Sequence, residues 1–454
     1  MTIEELKTKK RILIIGYGVE GKATEVFLKK YCPNAQIGIA DKKDGENYLD
    51  KQSGYDLAIK SPGVPPDLVT IPYTTVTNIF FANCKGKIIG VTGTKGKSTT
   101  CTLIYEMLKN AEKDVYLGGN IGEPPINFLD KLNDESWIVL ELSSFQLQDI
   151  KNPPSHKASN FAKAPVDKPE GQGVPHIAVL LMITSDHLDY HKNIARYVDA
   201  KRNILKYQTP NDFAIINRDY PAANESDILT PGKIYYASRE RETDNACFVF
   251  NDLIKVRIQG QDEKIIKISD IRLRGKHNFE NVCAAVMAVK LAGVPTKAII
   301  SVLRTFSGLP DRLEYIGEKG GVFFYNDSLS TVPEATIEAI ETFSDKVETL
   351  IAGGHERGID YTGLGKYLAK SSVRTMILFP PSGDRIWRAV IEAGGDKQIK
   401  KYDVSSMHEA MIFAFEETSS GKICLLSPAS ASFGIFKNYK DRANQFKKEI
   451  EMLY

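Results

Sequence analysis

Residues 87–99 read KIIGVTGTKGKST, and this stretch decides the fold. Its first five residues predict a buried strand, the glycine-rich residues that follow predict a tight loop, and a helix is predicted from about Thr100 to Asn110. Such a loop turns backbone N–H groups toward phosphate oxygens, while Lys97 supplies a positive charge and Ser98 a hydroxyl suited to Mg²⁺. We therefore predict an ATP site. Its loop residues are Gly93, Thr94, Lys95, Gly96, Lys97, Ser98 and Thr99.

A second nucleotide-type pattern lies near the N-terminus. The apolar run 11–15 leads into GYGVEG at 16–21, and a second apolar run, 36–40, ends at Asp41. This is the βαβ arrangement that binds dinucleotides, although a loop of this kind also suits a nucleotide sugar. Short apolar runs alternate with longer amphipathic stretches elsewhere, as is typical of parallel sheets with crossover helices. We predict an α/β fold and leave the first ligand open.

Composition limits the remaining possibilities. The 454 residues suggest two to four domains, of which we expect three, and the net charge of +2 gives no reason to expect a nucleic-acid or membrane partner. The six cysteines show no CxxC spacing, which favours a reducing compartment over a disulfide framework. The longest apolar run, 177–183, is too short to span a bilayer. We expect a soluble, cytoplasmic monomer.

The phosphate loop departs from the usual GxxxxGK[ST] spacing, because Val91 stands where that pattern has glycine. It resembles the shorter loop of the Mur ligase family and of the related folylpolyglutamate synthetases. Further segments follow in the family's order, and they are most similar to those of the members that add D-glutamate. They are GNIG at 119–122, ELSSFQL at 141–147, TSDHLDYH at 184–191, GKHNFEN at 275–281, GLPDRLE at 308–314, NDS at 326–328 and SPASASF at 427–433.

The resemblance covers nearly the whole chain and implies three domains. Residues 1–85 would form a Rossmann-like domain that binds a UDP-sugar rather than a redox cofactor. Residues 86–306 would form a P-loop ATPase-type domain with a parallel sheet, and residues 307–454 a Rossmann-like domain that binds an amino acid.

The implied activity is ATP-dependent amide formation. D-glutamate would be joined to UDP-N-acetylmuramoyl-L-alanine through an acyl phosphate, in the synthesis of peptidoglycan precursors. By resemblance, two Mg²⁺ ions are held by Ser98, Glu141, His187 and a carbamylated Lys201. The implied catalytic residues are Lys97, His187, Lys201, Arg312 and Asp327. The last two would also contact ATP, and Asn278 and Asn281 would lie near its adenine.

The chemistry gives its own reasons for these residue types. A nucleotide phosphate and an acceptor carboxylate repel each other, so cations must lie between them. Glu141 is a hard ligand suited to Mg²⁺, and a carbamate on Lys201 would add the negative charge that His187 lacks. Carbamylation requires an uncharged amine, which implies a desolvated lysine. A polar loop without metal, or a zinc site, remains an alternative for 186–191, and simple helix capping for the asparagines.

The resemblance also proposes contacts for the two other substrates. The UDP-sugar candidates are Val19, Glu20, Asp41, Lys42, Lys43, Ser61, Gly63 and Asn120. The amino-acid candidates are Thr331, Arg357, Ser427 and Phe433.

Departures from the family pattern fall mainly on the amino-acid side. Leu329 replaces a lysine, and Arg357 stands near the place of another lysine, whose role its guanidinium could take. The identity and chirality of the amino acid therefore stay open, with L-glutamate the chief competitor of D-glutamate. A folylpolyglutamate-type ligase and a non-catalytic UDP-sugar-binding homologue also stay open as interpretations. Residues 151–175 are rich in Pro, Lys and Gly, which predicts a surface loop or flexible lid.

Overall fold

The structure is a computed structural model that describes residues 1–150, 174–184, 188–273, 275–276 and 278–452. The chain divides into two compact units. Unit one comprises Met1–Arg272 with His277–Phe306, and unit two comprises Leu273–Lys276 with Ser307–Tyr454.

Unit one contains two sheets. The first is a four-stranded parallel sheet of order β2-β1-β3-β4. Its strands are β1 (Arg11–Ile15), β2 (Gln36–Ala40), β3 (Leu57–Lys60) and β4 (Tyr73–Thr74). Gly16, directly after β1, has φ +87°, and a Cβ there would lie 2.9 Å from Ser61. The glycine therefore lets the loop after β1 approach the turn after β3.

The second sheet has nine strands in the order β13-β12-β11-β10-β9-β8-β5-β7-β6. Strands β5 to β11 pair in parallel and the last two pair antiparallel. The strands are β5 (Lys87–Thr92), β6 (Val115–Gly119), β7 (Trp137–Glu141), β8 (Ile177–Leu180), β9 (Phe213–Asn217), β10 (Lys233–Ser238), β11 (Ala246–Phe250), β12 (Leu253–Ile258) and β13 (Gln261–Lys267). The central strands β5, β7 and β8 have the continuous apolar character expected of buried parallel strands.

The α-helices of unit one pack on these sheets. They are α1 (Ile3–Lys7), α2 (Val19–Tyr31), α3 (Val76–Asn83), α4 (Lys97–Asn110), α5 (Ser144–Leu147), α6 (Leu188–His191), α7 (Ile194–Lys206), α8 (Pro221–Asn224), α9 (Asn278–Leu291) and α10 (Thr296–Thr305). One core cluster contains Ile12 of the first sheet, Ile138 and Leu180 of the second, and Phe80 of α3 between them in the sequence. The two sheets thus share buried apolar surface.

Unit two is built on a six-stranded sheet of order β14-β15-β19-β16-β17-β18, in which only β14 is antiparallel. Its strands are β14 (Glu314–Lys319), β15 (Val322–Asn326), β16 (Val347–Gly353), β17 (Thr375–Phe379), β18 (Lys400–Asp403) and β19 (Ile423–Leu426). Its helices are α11 (Pro333–Thr342), α12 (Thr362–Leu368), α13 (Ser382–Glu392), α14 (Met407–Glu417) and α15 (Tyr439–Met452).

The helices of unit two cover both faces of its sheet. Helices α11, α12 and α13 share one core with Leu350 and Leu425, whereas α14 and α15 share another with Ile351 and Leu426. Neighbouring strands β15 and β19 are therefore followed by helices on opposite faces. Open α/β sheets bind ligands in the crevice at the carboxyl ends of such strands.

The α/β prediction is confirmed. Helix α4 begins at Lys97, three residues before its predicted start, because the turn after Gly96 is already helical. Of the predicted loop 151–175, residues 151–173 lie outside the described residues. Val174 and Pro175 are buried beside β8, so the surface prediction is wrong for that end. Within the described residues, no helix has both the length and the apolar character needed to cross a bilayer.

Candidate active site

The phosphate loop leaves the centre of the nine-stranded sheet. Gly93 and Gly96 have φ +157° and +83°, and a Cβ on Gly96 would overlap the side-chain oxygen of Asn281. The Lys97 ammonium donates to the carbonyl oxygens of Gly93 and Thr94 at 3.0 and 2.8 Å. The loop therefore holds the ammonium of its own lysine, and it leads directly into the N-terminus of α4, the end of a helix that favours anions.

A hydrogen-bonded trio lies beside this loop. The Ser98 hydroxyl donates to Glu141 Oε2 at 2.7 Å, and the Asn120 amide donates to Oε1 of the same carboxylate at 3.0 Å. Glu141 is only 2% exposed. A buried carboxylate and a hydroxyl at the N-terminus of α4 form a hard oxygen donor set, which fits Mg²⁺. Among the described residues no group of three His, Cys, Asp or Glu side chains could hold a metal.

Lys201 reaches the same loop from α7. Its ammonium donates to the Gly93 carbonyl at 2.7 Å and lies 4.7 Å from the centre of the Tyr197 ring. The Tyr197 hydroxyl is 3.0 Å from the Thr94 hydroxyl. Lys201 is 2% exposed. The structure therefore places a buried amine beside the phosphate loop.

A cavity of about 640 Å³ opens beside the glycine-rich loop that follows β1. Its walls come from both sheets of unit one, since Asn120, Ser143, Phe145 and Gln146 face the loops after β1 and β3. Asn120 also belongs to the trio with Glu141 and Ser98. The cavity and the phosphate loop are therefore joined by one set of hydrogen bonds.

Buried charged residues connect the two sheets behind this cavity. Lys60 and Asp149 form an ion pair at 2.6 Å, with side chains 0% and 2% exposed. Lys60 also donates to Val64 O at 2.8 Å, within the turn that lines the cavity. Burial lowers the pKa of Lys60, and the nearby Asp149 carboxylate only partly opposes this. The pair fixes the turn after β3 to the loop after β7.

A second polar contact crosses between the sheets. The Gln146 amide donates to Glu20 Oε1 at 2.9 Å. Burial raises the pKa of Glu20, while this hydrogen bond and the charge of Lys60 act in the opposite direction. The Tyr190 hydroxyl donates to Pro62 O at 3.2 Å and accepts from the Gln148 amide at 2.6 Å. These contacts hold both cavity-lining loops of the first sheet against the second.

Unit two places a buried carboxylate at the carboxyl ends of β15 and β19. Asp327 is 1% exposed. Its carboxylate accepts from the Ser427 hydroxyl at 2.8 Å and from Leu313 N at 3.2 Å. Burial raises the pKa of Asp327 to about 6, although these hydrogen bonds and the charge of Arg312 favour its ionised form. Asp327 and Ser427 thus meet at the crevice predicted by the strand order.

The neighbouring loops carry an exposed aromatic residue and a cation. His355 N donates to Ala431 O at 2.8 Å, which joins the loop after β16 to the loop after β19. The Arg357 guanidinium lies 5.9 Å from the centre of the Phe433 ring, and Phe433 is 51% exposed. Leu329 is also exposed. The edge of unit two therefore offers a cation and an aromatic surface to solvent.

Comparison with known proteins identifies the family. The model of the Mur ligase middle domain matches residues 91–289. The UDP-N-acetylmuramoylalanine–D-glutamate ligase of Acetivibrio thermocellus is 33% identical over 99% of this chain and 98% of its own length. That of Geobacillus kaustophilus is 34% identical over 98% of each chain. The chain belongs to the Mur ligase family, among its UDP-N-acetylmuramoylalanine–D-glutamate ligases.

Solved structures support the same fold for this Mur ligase. The Thermotoga maritima ligase MurF, in complex with ADP, has a TM-score of 0.56 and 18% identity, over 99% of both chains. The UDP-N-acetylmuramoylalanyl-D-glutamyl-2,6-diaminopimelate–D-alanyl-D-alanyl ligase of Acinetobacter baumannii has a TM-score of 0.59 and 15% identity, over 99% of this chain and 97% of its own. At these identities the likeness concerns the fold alone.

The structure brings most of the predicted residues of unit one together. Ser98, Glu141, Lys97 and Lys201 surround the phosphate loop. The predicted metal ligand His187 lies outside the described residues. The cavity is lined by Val19, Glu20, Asp41, Lys42, Ser61, Gly63 and Asn120. Lys43 is not among the lining residues, and its backbone N–H instead donates to Asp41 Oδ1 at 3.1 Å.

Asn278 and Asn281 occupy the first turn of α9, which packs against α4. The Asn281 amide donates to Asn278 Oδ1 at 3.0 Å, and Asn281 also faces Gly96. In unit two, Arg312 is exposed near Asp327, and Thr331 is partly exposed before α11. The roles of these four residues in binding stay predictions.

Sequence reasoning missed the buried ion pair and the hydroxyl of Tyr190. Lys60 ends the apolar run LAIK, and a lysine in a buried strand was a usable signal, because a buried lysine needs a partner. Asp149 gave no such signal, since it lies just after the short helix α5, where a charged residue is usually exposed. Nothing in the sequence around Tyr190 indicated which backbone carbonyl its hydroxyl would contact.

Proposed function

We propose that this Mur ligase joins D-glutamate to the alanine carboxyl of UDP-N-acetylmuramoyl-L-alanine, with conversion of ATP to ADP and phosphate. The observation that carries the proposal is the shared hydrogen-bond network of two sites. Asn120 lines the cavity proposed for the UDP-sugar and donates to Glu141, whose other oxygen accepts from Ser98 of the phosphate loop. An acceptor carboxylate held by one site would thereby lie close to the phosphates held by the other.

In the first step we propose that the alanine carboxylate attacks the γ-phosphorus of ATP. The new O–P bond forms an acyl phosphate, and the bond to the bridging oxygen of ADP breaks. Lys97 would leave its present carbonyl partners, Gly93 O and Thr94 O, and bind phosphate oxygens instead. Arg312 is proposed to contact the same phosphates, as cations that stabilise the moving charge are the main source of catalysis in such transfers.

Two Mg²⁺ ions are part of the proposal. Ser98 would hold one, and Glu141, His187 and a carbamylated Lys201 would hold the other. Bound ions would supply the positive charge that lets a phosphate approach a carboxylate. Carbamylation requires an uncharged amine, which burial in general favours, and Lys201 is buried with Gly93 O as one of its partners. Mass spectrometry of the intact protein with and without bicarbonate tests the modification.

In the second step the amine of glutamate attacks the acyl carbon. A C–N bond forms, the C–O bond to phosphate breaks, and the departing phosphate takes up the proton that the amine loses. Arg357 and Phe433, which lie together in unit two, are proposed to bind the amino acid with Thr331 and Ser427. Asp327 is proposed to act on the nucleotide or its metal. Excluding water matters at this stage because acyl phosphates hydrolyse readily.

We further propose that the protein acts in the cytoplasm as a monomer. All six cysteines are free and buried, as expected in a reducing compartment. Size-exclusion chromatography with light scattering would test the oligomeric state directly.

The decisive experiment measures phosphate release from ATP and Mg²⁺ in the presence of UDP-N-acetylmuramoyl-L-alanine, with one amino acid at a time. Release that requires D-glutamate is the expected result. Release that requires L-glutamate would keep the mechanism and change the chirality of the product. Release without any amino-acid dependence would overturn the proposal. Lys97→Ala should abolish this release, and Lys113→Ala, which changes an exposed residue just after α4, is its matched control.

A further inference from the structure

Arg442 is the largest fully buried side chain whose role the proposed function leaves open. It lies on α15 and is 0% exposed. Its Nε donates to the Ser328 hydroxyl at 3.0 Å, its Nη2 to Ser328 O at 2.9 Å, and its Nη1 to Ser430 O at 3.3 Å. One guanidinium therefore joins the segments that follow β15 and β19.

The charge of this guanidinium is uncompensated at short range. Among the described residues, no carboxylate oxygen lies within 4.0 Å of it, whereas Arg385, in the same unit, pairs with Glu356. Burial lowers the pKa of Arg442 to about 9, so the side chain is still a cation at neutral pH. Burying an unpaired charge is costly, and proteins seldom keep one without a reason.

The position of Arg442 suggests that reason. Ser328 directly follows Asp327, and Ser430 lies three residues before Phe433. Both serines lie at the carboxyl ends of the neighbouring strands whose helices cover opposite faces of the sheet. A ligand is expected in this crevice, and a cation behind it acts through a poorly screened interior.

We infer that Arg442 is a positioning residue for the acidic amino acid, fixing the segments after β15 and β19 and supplying a buried positive charge behind the crevice. The inference rests on the proposed function, because it assumes that unit two binds glutamate. It assigns a role in acidic-substrate selectivity to a residue that needs no direct contact with the substrate. Arg357, exposed at the rim, would provide a cation that can contact it.

A purely structural role makes a different prediction. If Arg442 only holds two backbone segments together, its removal should weaken the binding of glutamate and of the uncharged analogue glutamine alike. If its charge matters for the acidic amino acid, the affinity for glutamate should fall while the affinities for ATP and the UDP-sugar stay nearly unchanged. The two roles are separated by the preference for glutamate over glutamine within one variant and by the partial restoration that a lysine, which keeps the charge, should give.

The test uses the full chain with Arg442→Met, Arg442→Gln and Arg442→Lys, and with Arg388→Met as control, since Arg388 is exposed on α13 of the same unit. For the Met and Gln variants we expect the KM for glutamate to rise about tenfold, as for the loss of one charge-assisted interaction. The KM values for ATP and the UDP-sugar should change less than about twofold. Lysine should restore part of the loss, and the preference for glutamate over glutamine should fall when the charge is removed.

An equal rise in all three KM values, or an unchanged KM for glutamate, would overturn the inference. If the Met variant does not fold, the Gln variant, which can still donate to a carbonyl, decides by the same comparison. If neither folds, the Lys variant decides, since loss of the fork-shaped contacts should raise the KM for glutamate more than the other two. Wild-type protein inactive with every amino acid would instead refute the proposed function.

Discussion

The carboxyl edges of the two larger sheets use the same chemistry in different ways. At the edge of the nine-stranded sheet, Lys97 and Lys201 donate to Gly93 O, and Glu141 accepts from the Ser98 hydroxyl. At the edge of the six-stranded sheet, the guanidinium of α15 donates to Ser328 O, and Asp327 accepts from the Ser427 hydroxyl. Each edge therefore combines a cation held by backbone carbonyls with a buried carboxylate held by a serine.

Lys97 and Arg442 differ in how far away in the sequence their hydrogen-bond partners lie. Lys97 bonds to residues three and four positions away, whereas Arg442 bonds to a residue 114 positions away. A local cation is free to change partners when a ligand arrives, because breaking its contacts leaves the sheet intact. A distant cation ties separate strands together, so we expect it to stay in place. Lys97 is therefore suited to exchanging its carbonyl partners for a phosphate, and Arg442 to keeping the ends of β15 and β19 in fixed positions.

The largest effect should come from the local cation. Lys97→Ala removes the charge proposed to stabilise the transferred phosphoryl group, and we expect turnover to fall about 10³-fold. Calorimetry should show UDP-sugar affinity within about twofold of wild type, because the cavity does not include Lys97. A turnover close to wild type would contradict the assignment.

Replacing the carboxylate of the second edge should separate activity from stability. Burial raises the pKa of Asp327 to about 6, so its charged form costs folding free energy above that pH. Below the pKa of an unfolded aspartate both states are protonated and the cost disappears. Asp327→Asn should therefore increase the free energy of unfolding of unit two by about 2 kcal/mol at pH 8 and change it little at pH 3.5. Denaturant titration at the two pH values measures the difference.

The same variant should lose ligase activity if Asp327 acts in the reaction. Ser344→Ala, at a turn before β16, serves as a control for general changes in unit two. An equal change in stability at both pH values would show that burial of the charge is not the cause.

A smaller effect is expected at the rim of the second edge. Arg357→Gln removes a cation proposed to bind a carboxylate of the amino acid, and the KM for glutamate should rise about tenfold or slightly less. The KM for ATP should be unchanged in the same steady-state assay. Arg388→Gln, on an exposed helical position, is the matched control, and equal behaviour of the two variants would rule out the proposed contact.

The smallest effect should be a shift in pH dependence. The Ser427 hydroxyl stabilises the ionised form of Asp327, so Ser427→Ala should raise the pKa of that carboxyl further. If the carboxylate must be ionised, the acidic limb of the kcat profile should begin near pH 6 in wild type and move upward by about one pH unit. If the acidic limb of the kcat–pH profile does not shift in the variant, a group other than Asp327 causes it.

The same contrast explains what could be predicted from the sequence. The phosphate loop was predictable because its partners are adjacent, and glycines, lysine and serine at fixed spacing determine one geometry. The βαβ unit at 11–41 was predictable for the same reason. The burial of Arg442 was not predictable, since an arginine in the amphipathic segment YKDRANQF is usually solvated. Its burial follows from the packing of α15 on β14 and β15, which depends on the whole of unit two.

The buried pair of Lys60 and Asp149 has a consequence for protein engineering. Lys60 lies in β3 of the first sheet, and Asp149 follows α5, which packs with the second sheet. The two side chains nevertheless form a buried ion pair. A chimera that takes the first sheet from one homologue and the second sheet from another contains both residues of the pair only if each homologue carries its own residue of the pair. If only one of the two residues is present, its charge is buried without a partner, which lowers the free energy of unfolding by about 3 kcal/mol or more. A single recombination breakpoint between residues 61 and 148 is therefore safe only when both parents carry the lysine and the aspartate.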